Sequence, residues 1–436
     1  MSKETRKPFL SGLVLFACSL AMTAPAAQAQ TGRDVRKVHD AASTVSSLPQ
    51  AFDAAWQRQP EAKSAELRRE AADARRQTAE SWTAEPPSLE LSSKTDRLNR
   101  NDGSREYVAG VAVPLWLPGE RARSGALAEA ESRAVASRVL SAQLRTAAAV
   151  RDAWWGWHRA RGEQLLAQER LTNARRIAED VRRRVRAGDL ARADQNQAEG
   201  AMAGAEAAQA EADSAVLAAA RQVRALAGMM PGETATDTPE ILPKLPSNFG
   251  APEATTEATH PGLAELLDRA EIARRSAELA SVQTRSNPEL LLATTRERDG
   301  FGDSYAQTVT IGVRIPFGSE SRNRAKVGLA RAEALEAEEQ LRLERERLLA
   351  DLEAADARVQ AARKQFAAAE KRARLAGESR GFFEKSFRMG ETDLPTRLRI
   401  ELEAVEAEKQ ASRARIDLAA AISALRQALG LLPEQK

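Results

Sequence analysis

Residues 107–117 read Y-V-A-G-V-A-V-P-L-W-L, and residues 309–319, an offset of 202, read V-T-I-G-V-R-I-P-F-G-S. Both stretches alternate. Tyr107, Ala109, Val111, Val113 and Leu115 interleave with Val108, Gly110, Ala112 and Pro114; Tyr305, Gln307, Val309, Ile311, Val313, Ile315 and Phe317 interleave with Ala306, Thr308, Thr310, Gly312, Arg314 and Pro316. A period of two is a strand signal, with one face large and apolar and the other small or polar. The partner strands are read at Ser88–Lys94 and Glu289–Arg296, joined through Asn101-Asp102-Gly103 and Asp299-Gly300-Phe301-Gly302, residues that suit hairpin turns.

The two hairpins belong to an internal repeat. Pro114 and Pro316, Gly188 and Gly390, Glu199 and Glu401, Gly228 and Gly430, and Pro231 and Pro433 share the offset of 202, while Pro60/Pro261 and Pro87/Pro288 stand 201 apart. Each copy reads helix, hairpin, very long helix, helix. The first copy, 51–230, holds helices over about 51–84, 119–187 and 192–229 around the hairpin 87–115. The second, 261–433, holds helices over about 262–286, 320–389 and 395–429 around the hairpin 288–317, and 434–436 is a tail. Residues 231–260, with prolines at 239, 243, 246 and 252, read as a connector.

Composition supports long helices over a large compact core. The 436 residues are 43% hydrophobic and 29% charged, but only 4% aromatic. A helix over 119–187 is roughly 100 Å long at 1.5 Å per residue. Leu127, Val135, Val139, Leu144, Trp154, Trp157, Leu165, Val181 and Val185 recur along it among alanines that allow close helix approach. The two shorter helices of a copy are together about as long, so they can stack end to end beside it.

The start reads as a targeting signal, 1–29: Lys3, Arg6 and Lys7, an apolar run from Phe9 to Met22, then Ala27-Gln28-Ala29 as a cleavage site. A rival reading is a lipoprotein-like box ending at Cys18, the only cysteine. Residues 30–50 are read as an N-terminal extension. Without 1–29 the net charge falls from +3 to about +1, which gives no basic face for nucleic acid.

An exported chain with two alternating hairpins admits a soluble sheet with one buried face or a transmembrane β-barrel. Strands of about 10 residues suit a bilayer. Tyr107 and Tyr305 at the turn ends, with Trp116 and Phe317 at the helix ends, suit interfacial girdles. In the barrel reading Val111, Val113, Val309, Ile311, Val313 and Ile315 face lipid, and Arg314 faces the lumen. Four strands cannot close a barrel, which needs about eight, so it is shared between chains.

With this order of elements, and with G-V-A-V-P-L-W-L-P-G-E-R-A-R at 110–123 and G-V-R-I-P-F-G-S-E-S-R-N-R-A-K at 312–326, the chain resembles the TolC family of outer-membrane efflux channels. The two junctions are most similar to its CzcC-type, heavy-metal branch. The resemblance implies a mainly α fold: a homotrimer with a shared twelve-stranded membrane barrel and a periplasmic α-helical tunnel of coiled-coil packing. It also implies a periplasmic adaptor and an inner-membrane, proton-driven pump of the RND type as partners. The periplasmic entrance would be formed by the helix–turn–helix tips, at Val185, Gly188, Asp189 and Asp194, and at Phe387, Gly390 and Asp393. The first tip carries the family's pattern at Gly188, Asp194, Ala198 and Glu199; the second has Thr396 and Ile400 in place of the aspartate and alanine. Multidrug or type I secretion channels of the same family, a periplasmic adaptor, and a poreless coiled coil are the alternatives.

From the residues themselves, Gly188 and Gly390 are left-handed helix ends, and Asp189 and Asp393 are placed as N-caps. Asp194 in a first helical turn suits either the helix dipole or a selectivity ring. Trp154, Trp155 and Trp157 pack between helices, and His39, His158 and His260 form no ligand cluster. No nucleotide loop, catalytic triad or H-E-x-x-H motif is present, so the reading is a passive duct without enzyme activity, cofactor or bound metal.

Overall fold

The computed structural model describes residues 44–99, 101–244, 260–318 and 320–434. The expected signal segment, Cys18, His39 and the prolines at 246 and 252 lie outside them.

The long helices form as their composition requires. Helix α3 spans Glu120–Ala187, 68 residues, and α6 spans Glu320–Arg388, 69 residues. Alanine, arginine, glutamate and leucine favour helix throughout, and neither helix contains a proline. Helix α4 (Arg192–Ala227) returns along α3, and α7 (Leu394–Ala428) returns along α6. The half-length helices α2 (Pro60–Glu80) and α5 (Pro261–Val282) lie against the parts of the long helices nearer the strands, α2 on α3 and α5 on both α3 and α6.

The single helix expected over 51–84 is two. Helix α1 runs from Leu48 to Arg58 and stops before Pro60, which opens α2. Proline has no N–H to donate and forces the residue before it out of the helical region; Gln59 sits at ψ 140°. Ser47 caps α1, its hydroxyl accepting from Gln50 N–H. The expected extension to residue 50 therefore already contains structure, including β1 (Thr44–Val45), which pairs in parallel with β4 (Met230–Pro231).

The main core sits where α1 meets α3, α4 and α7. Leu48, Phe52, Val150, Trp154, Trp155, Trp157, Val223 and Ile416 are buried together. The Trp155 indole N–H donates to Ser423 Oγ at 2.8 Å. Leu165, expected in the core, is half exposed and lines a cavity of about 620 Å³ between α3, α6 and α7.

Four antiparallel strands form one sheet in the order β2–β3–β5–β6: Ser88–Thr95, Arg105–Pro114, Glu289–Arg298 and Ala306–Arg314. At the foot of the sheet, Glu120 is 3% exposed and fully partnered. It accepts from Leu117 N–H (3.0 Å), Gln283 Nε2 (2.7 Å) and Asn287 Nδ2 (2.7 Å). That carboxylate fixes the entry of α3 to the end of α5, so the two repeats leave the sheet as one unit.

Candidate functional sites: an open sheet and two helix tips

The register decides which side chains share a face of the sheet. Leu89 pairs with Val111, Val111 with Leu292, and Leu292 with Ile311. Val113, Leu290 and Val313 form a second row, and Ala109, Thr294 and Val309 a third. The apolar face is therefore continuous across all four strands, and it is open: Ile311 is 74% exposed and Val309 68%. Ile315 continues it just past β6.

The opposite face carries Gly110, Ala293, Thr308, Thr310 and Gly312. Arg314 is on it, but not as a free cation: its guanidinium lies 2.9 Å from Glu289 Oε2, its direct cross-strand partner. Among the described residues both outer strands, β2 and β6, have an unpaired edge. An exposed edge beside an exposed apolar face binds further strands or aggregates.

At the helix end of the sheet Trp116 is partly buried, its indole N–H donating to Ser81 O at 3.2 Å, while Phe317 is 94% exposed. Trp82, which the sequence reading overlooked, is 93% exposed and follows the Ser81 that Trp116 holds. Its neighbours Ser81 and Thr83 carry no strand periodicity, so it gave no pattern signal. At the turn end Tyr107 and Tyr305 stand 6.4 Å apart.

The tips are built alike. Gly188 has φ 87° and Gly390 φ 80°, a conformation glycine adopts without a Cβ clash. Asp189 N–H donates to Arg184 O (2.9 Å) and Gly188 N–H to Val185 O (3.1 Å). Glu391 N–H to Ser386 O (3.0 Å) and Gly390 N–H to Phe387 O (3.2 Å) repeat the motif, a Schellman end in both copies.

The helix starts differ. Asp393 is the N-cap of α7 and accepts from Thr396 N–H at 3.2 Å; the Thr396 hydroxyl first, and its N–H after it, hold the Asp393 carboxyl below the usual range. Asp189 caps nothing, contrary to expectation: the N-cap of α4 is Ala191, and Asp194 reaches back to accept from Ala191 N–H at 3.0 Å. The cap position is the same in both copies, three residues after the tip glycine, but the first copy has alanine there and its aspartate, Asp189, stands two residues too early.

Phe387 joins the tips. It is 2% exposed and packs with Ile177, Val181, Ala198 and Leu394, with Val185 at the margin. The guanidinium of Arg184 lies 4.9 Å from its ring centroid and that of Arg397 4.6 Å. Phe387→Leu keeps most of the apolar volume but removes both cation–ring contacts. It is expected to loosen the tip by about 1–3 kcal/mol, read as faster amide exchange at 184–194 with the sheet unchanged.

Glu199 and Glu401 occupy equivalent repeat positions but differ electrically. Gln195 and Arg182 hold Glu199 below the ordinary carboxylate range. Burial pushes Glu401 above it, against the pull of Arg380 and Arg397.

The histidine of the main core is His158, 6% exposed and in ring contact with Trp157 at 4.6 Å. Burial lowers its pKa from 6.5 to about 4. The unfolded chain takes up the proton first, so the stability contributed by neutral His158 is complete above 6.5 and is lost as pH falls toward 4. The loss is at most about 3 kcal/mol. Unfolding curves of the wild type and of His158→Phe should diverge over that window and run parallel above it; parallel curves throughout would rule out the buried neutral imidazole.

Among the described residues no group of three His, Cys, Asp or Glu is placed to hold a metal ion, and no helix is long and apolar enough to cross a membrane.

No curated protein matches the chain by sequence. Solved structures match its fold. CusC, a protein of transmembrane channel formation, is 16% identical with TM-score 0.73, covering 88% of this chain and 92% of its own. The outer membrane protein VceC of Vibrio cholerae is 17% identical, TM-score 0.70, covering 88% and 96%. The open MtrE outer membrane channel of Neisseria gonorrhoeae is 16% identical, TM-score 0.70, covering 88% and 89%. The family described as "Outer membrane efflux protein" matches residues 51–229 and 259–431, which is both repeats. The chain belongs to the outer membrane efflux protein family, whose members are transport ducts and not enzymes.

Proposed function

We propose that the chain is the passive outer-membrane duct of a tripartite efflux assembly, carrying heavy-metal cations delivered by an inner-membrane RND pump through a periplasmic adaptor. The observation that carries this reading is the four-stranded sheet, apolar on one face and unpaired at both edges, set on helices roughly 100 Å long. Three copies joined β6 to β2 close a twelve-stranded barrel, with Val111, Val113, Val309, Ile311, Val313 and Ile315 toward lipid. Arg314 lines the water-filled side with Glu289. The helices continue as a periplasmic tunnel, and the chain reaches its site by export through 1–29.

The two tips are the entrance and the adaptor contact: Val185, Gly188, Asp189 and Asp194 in one copy, Phe387, Gly390 and Asp393 in the other. Energy and choice of cargo come from the pump. The metal cargo is supported by the likeness of residues 110–123 and 312–326 to the CzcC-type branch, not by ligands in this chain. The test is growth of a deletion strain across divalent metals, copper and silver salts, and organic drugs. Sensitivity confined to metals supports the reading; sensitivity to drugs with unchanged metal tolerance replaces the cargo and keeps the channel.

A further inference from the structure

At the turn end of the sheet, the apolar face gives way to a cluster of arginines. Arg105 on β3 is the direct cross-strand partner of Arg298 on β5, and Tyr107 is that of Arg296. By the alternation of the strands all four lie on the side of Leu292, Ile311 and Val313, not on the side of Arg314. Like charges directly opposite each other across two strands are destabilising unless something neutralises them.

Nothing among the described residues does so. None of the three arginines has a carboxylate within ion-pairing distance among the described residues. The turn acids Asp102, Asp299 and Asp303 form no ion pair with them, and the strand acids are engaged or face the other way. Asp96 accepts from Asp102 N–H (2.6 Å) and Gly103 N–H (3.1 Å). Glu106 pairs with Lys94 on the opposite face at 3.4 Å, where Glu297 also stands by register. What the arginines do have is aromatic support. Arg296 lies 4.7 Å and Arg298 5.1 Å from the Tyr305 ring centroid, and Arg298 Nε donates to Gly103 O at 3.1 Å. Planar guanidinium groups held in place by rings and a carbonyl, with donors left over, are built to receive oxyanions.

The geometry points to a binding site on the outer rim of the barrel for the phosphate headgroup of an outer-leaflet lipid, held by Arg105, Arg296 and Arg298 between Tyr107 and Tyr305. This rests on the membrane-barrel reading, which puts the hairpin turns at the outer surface and this face toward lipid. The position selects the source: the arginines border the lipid-facing apolar rows, so a headgroup reaches them while its chains cover Leu292 and Ile311. A soluble phosphate gains nothing from that border.

The test uses the full mature chain purified in neutral detergent. Retained lipid is read by native mass spectrometry after exposure to phosphorylated lipid A, to its dephosphorylated form, or to phosphatidylcholine. Wild type is expected to keep the phosphorylated lipid preferentially. Arg105→Gln should lower that retention about fivefold and, by removing the opposed pair, raise thermal stability in lipid-free detergent. That opposite movement is not what a misfolded variant gives. Lys94→Gln, on the other face, should retain lipid as wild type does. Unchanged retention by Arg105→Gln, equal loss by Lys94→Gln, or displacement by millimolar inorganic phosphate overturns the site. A chain that inserts but shows no preference overturns this inference alone; a chain that stays soluble overturns the barrel reading with it.

Discussion

Glu240→Ala lowers the stability of the chain by about 3–5 kcal/mol, the cost of leaving buried charge without its partner. Glu240 lies in the connector between the repeats, yet its side chain is only 9% exposed. It receives Arg151 of α3 in a two-pronged contact, Nε to Oε2 at 3.0 Å and Nη2 to Oε1 at 2.8 Å. Arg426 of α7 adds a third at 3.1 Å. The side chains of Arg151 and Arg426 are 3% and 7% exposed, so removing the carboxylate sets two buried cations against each other. The same arginines hold the end of the chain, Arg151 through Leu431 O and Arg426 through Leu432 O. The measurement is the denaturant midpoint of Glu240→Ala in detergent. A companion variant replacing all three residues with methionine should recover most of the loss, because it removes the charges as well as the pairing. A Glu240→Ala midpoint within error of wild type would show that water, not the connector, satisfies these arginines.

Ile311→Arg is expected to abolish assembly in the membrane. Ile311 lies in the row Leu89–Val111–Leu292–Ile311, within the strands rather than at their ends. An arginine at the middle of a lipid-facing strand costs about 2–4 kcal/mol, and a barrel shared by three chains incurs it three times. Thr310→Arg, one residue away and on the other face, meets water and should assemble. The readout is the amount of protein in the membrane fraction and in the oligomer band. Equal assembly of the two variants would mean that the apolar face packs against protein.

The elements were legible where the signal is local. Period-two alternation located both hairpins, and unbroken runs of helix formers located α3 and α6 nearly to the residue. The 202-residue offset exposed the matching glycine ends at 188 and 390. Local reading failed where one residue overrides a pattern, as Pro60 does between α1 and α2, and where a cap depends on two positions of spacing, as at Asp189 and Ala191. It could not find the groups whose partners are distant in the chain. Glu240 meets Arg151 and Arg426 at separations of 89 and 186 residues. Phe387 is gripped by Arg184 from 203 residues away. The Arg105–Arg298 opposition exists only once β3 has paired with β5, a contact no hairpin turn dictates.

The unpaired edges of β2 and β6 also have a genetic consequence. On the three-chain reading, each copy completes its neighbour's sheet, so a defective copy with intact edges still takes a place in the ring. In a cell making equal amounts of wild-type and tip-defective chains, only about one channel in eight is free of defective copies. Tip alleles should therefore be dominant, whereas Ile311→Arg, which never joins the ring, should be recessive.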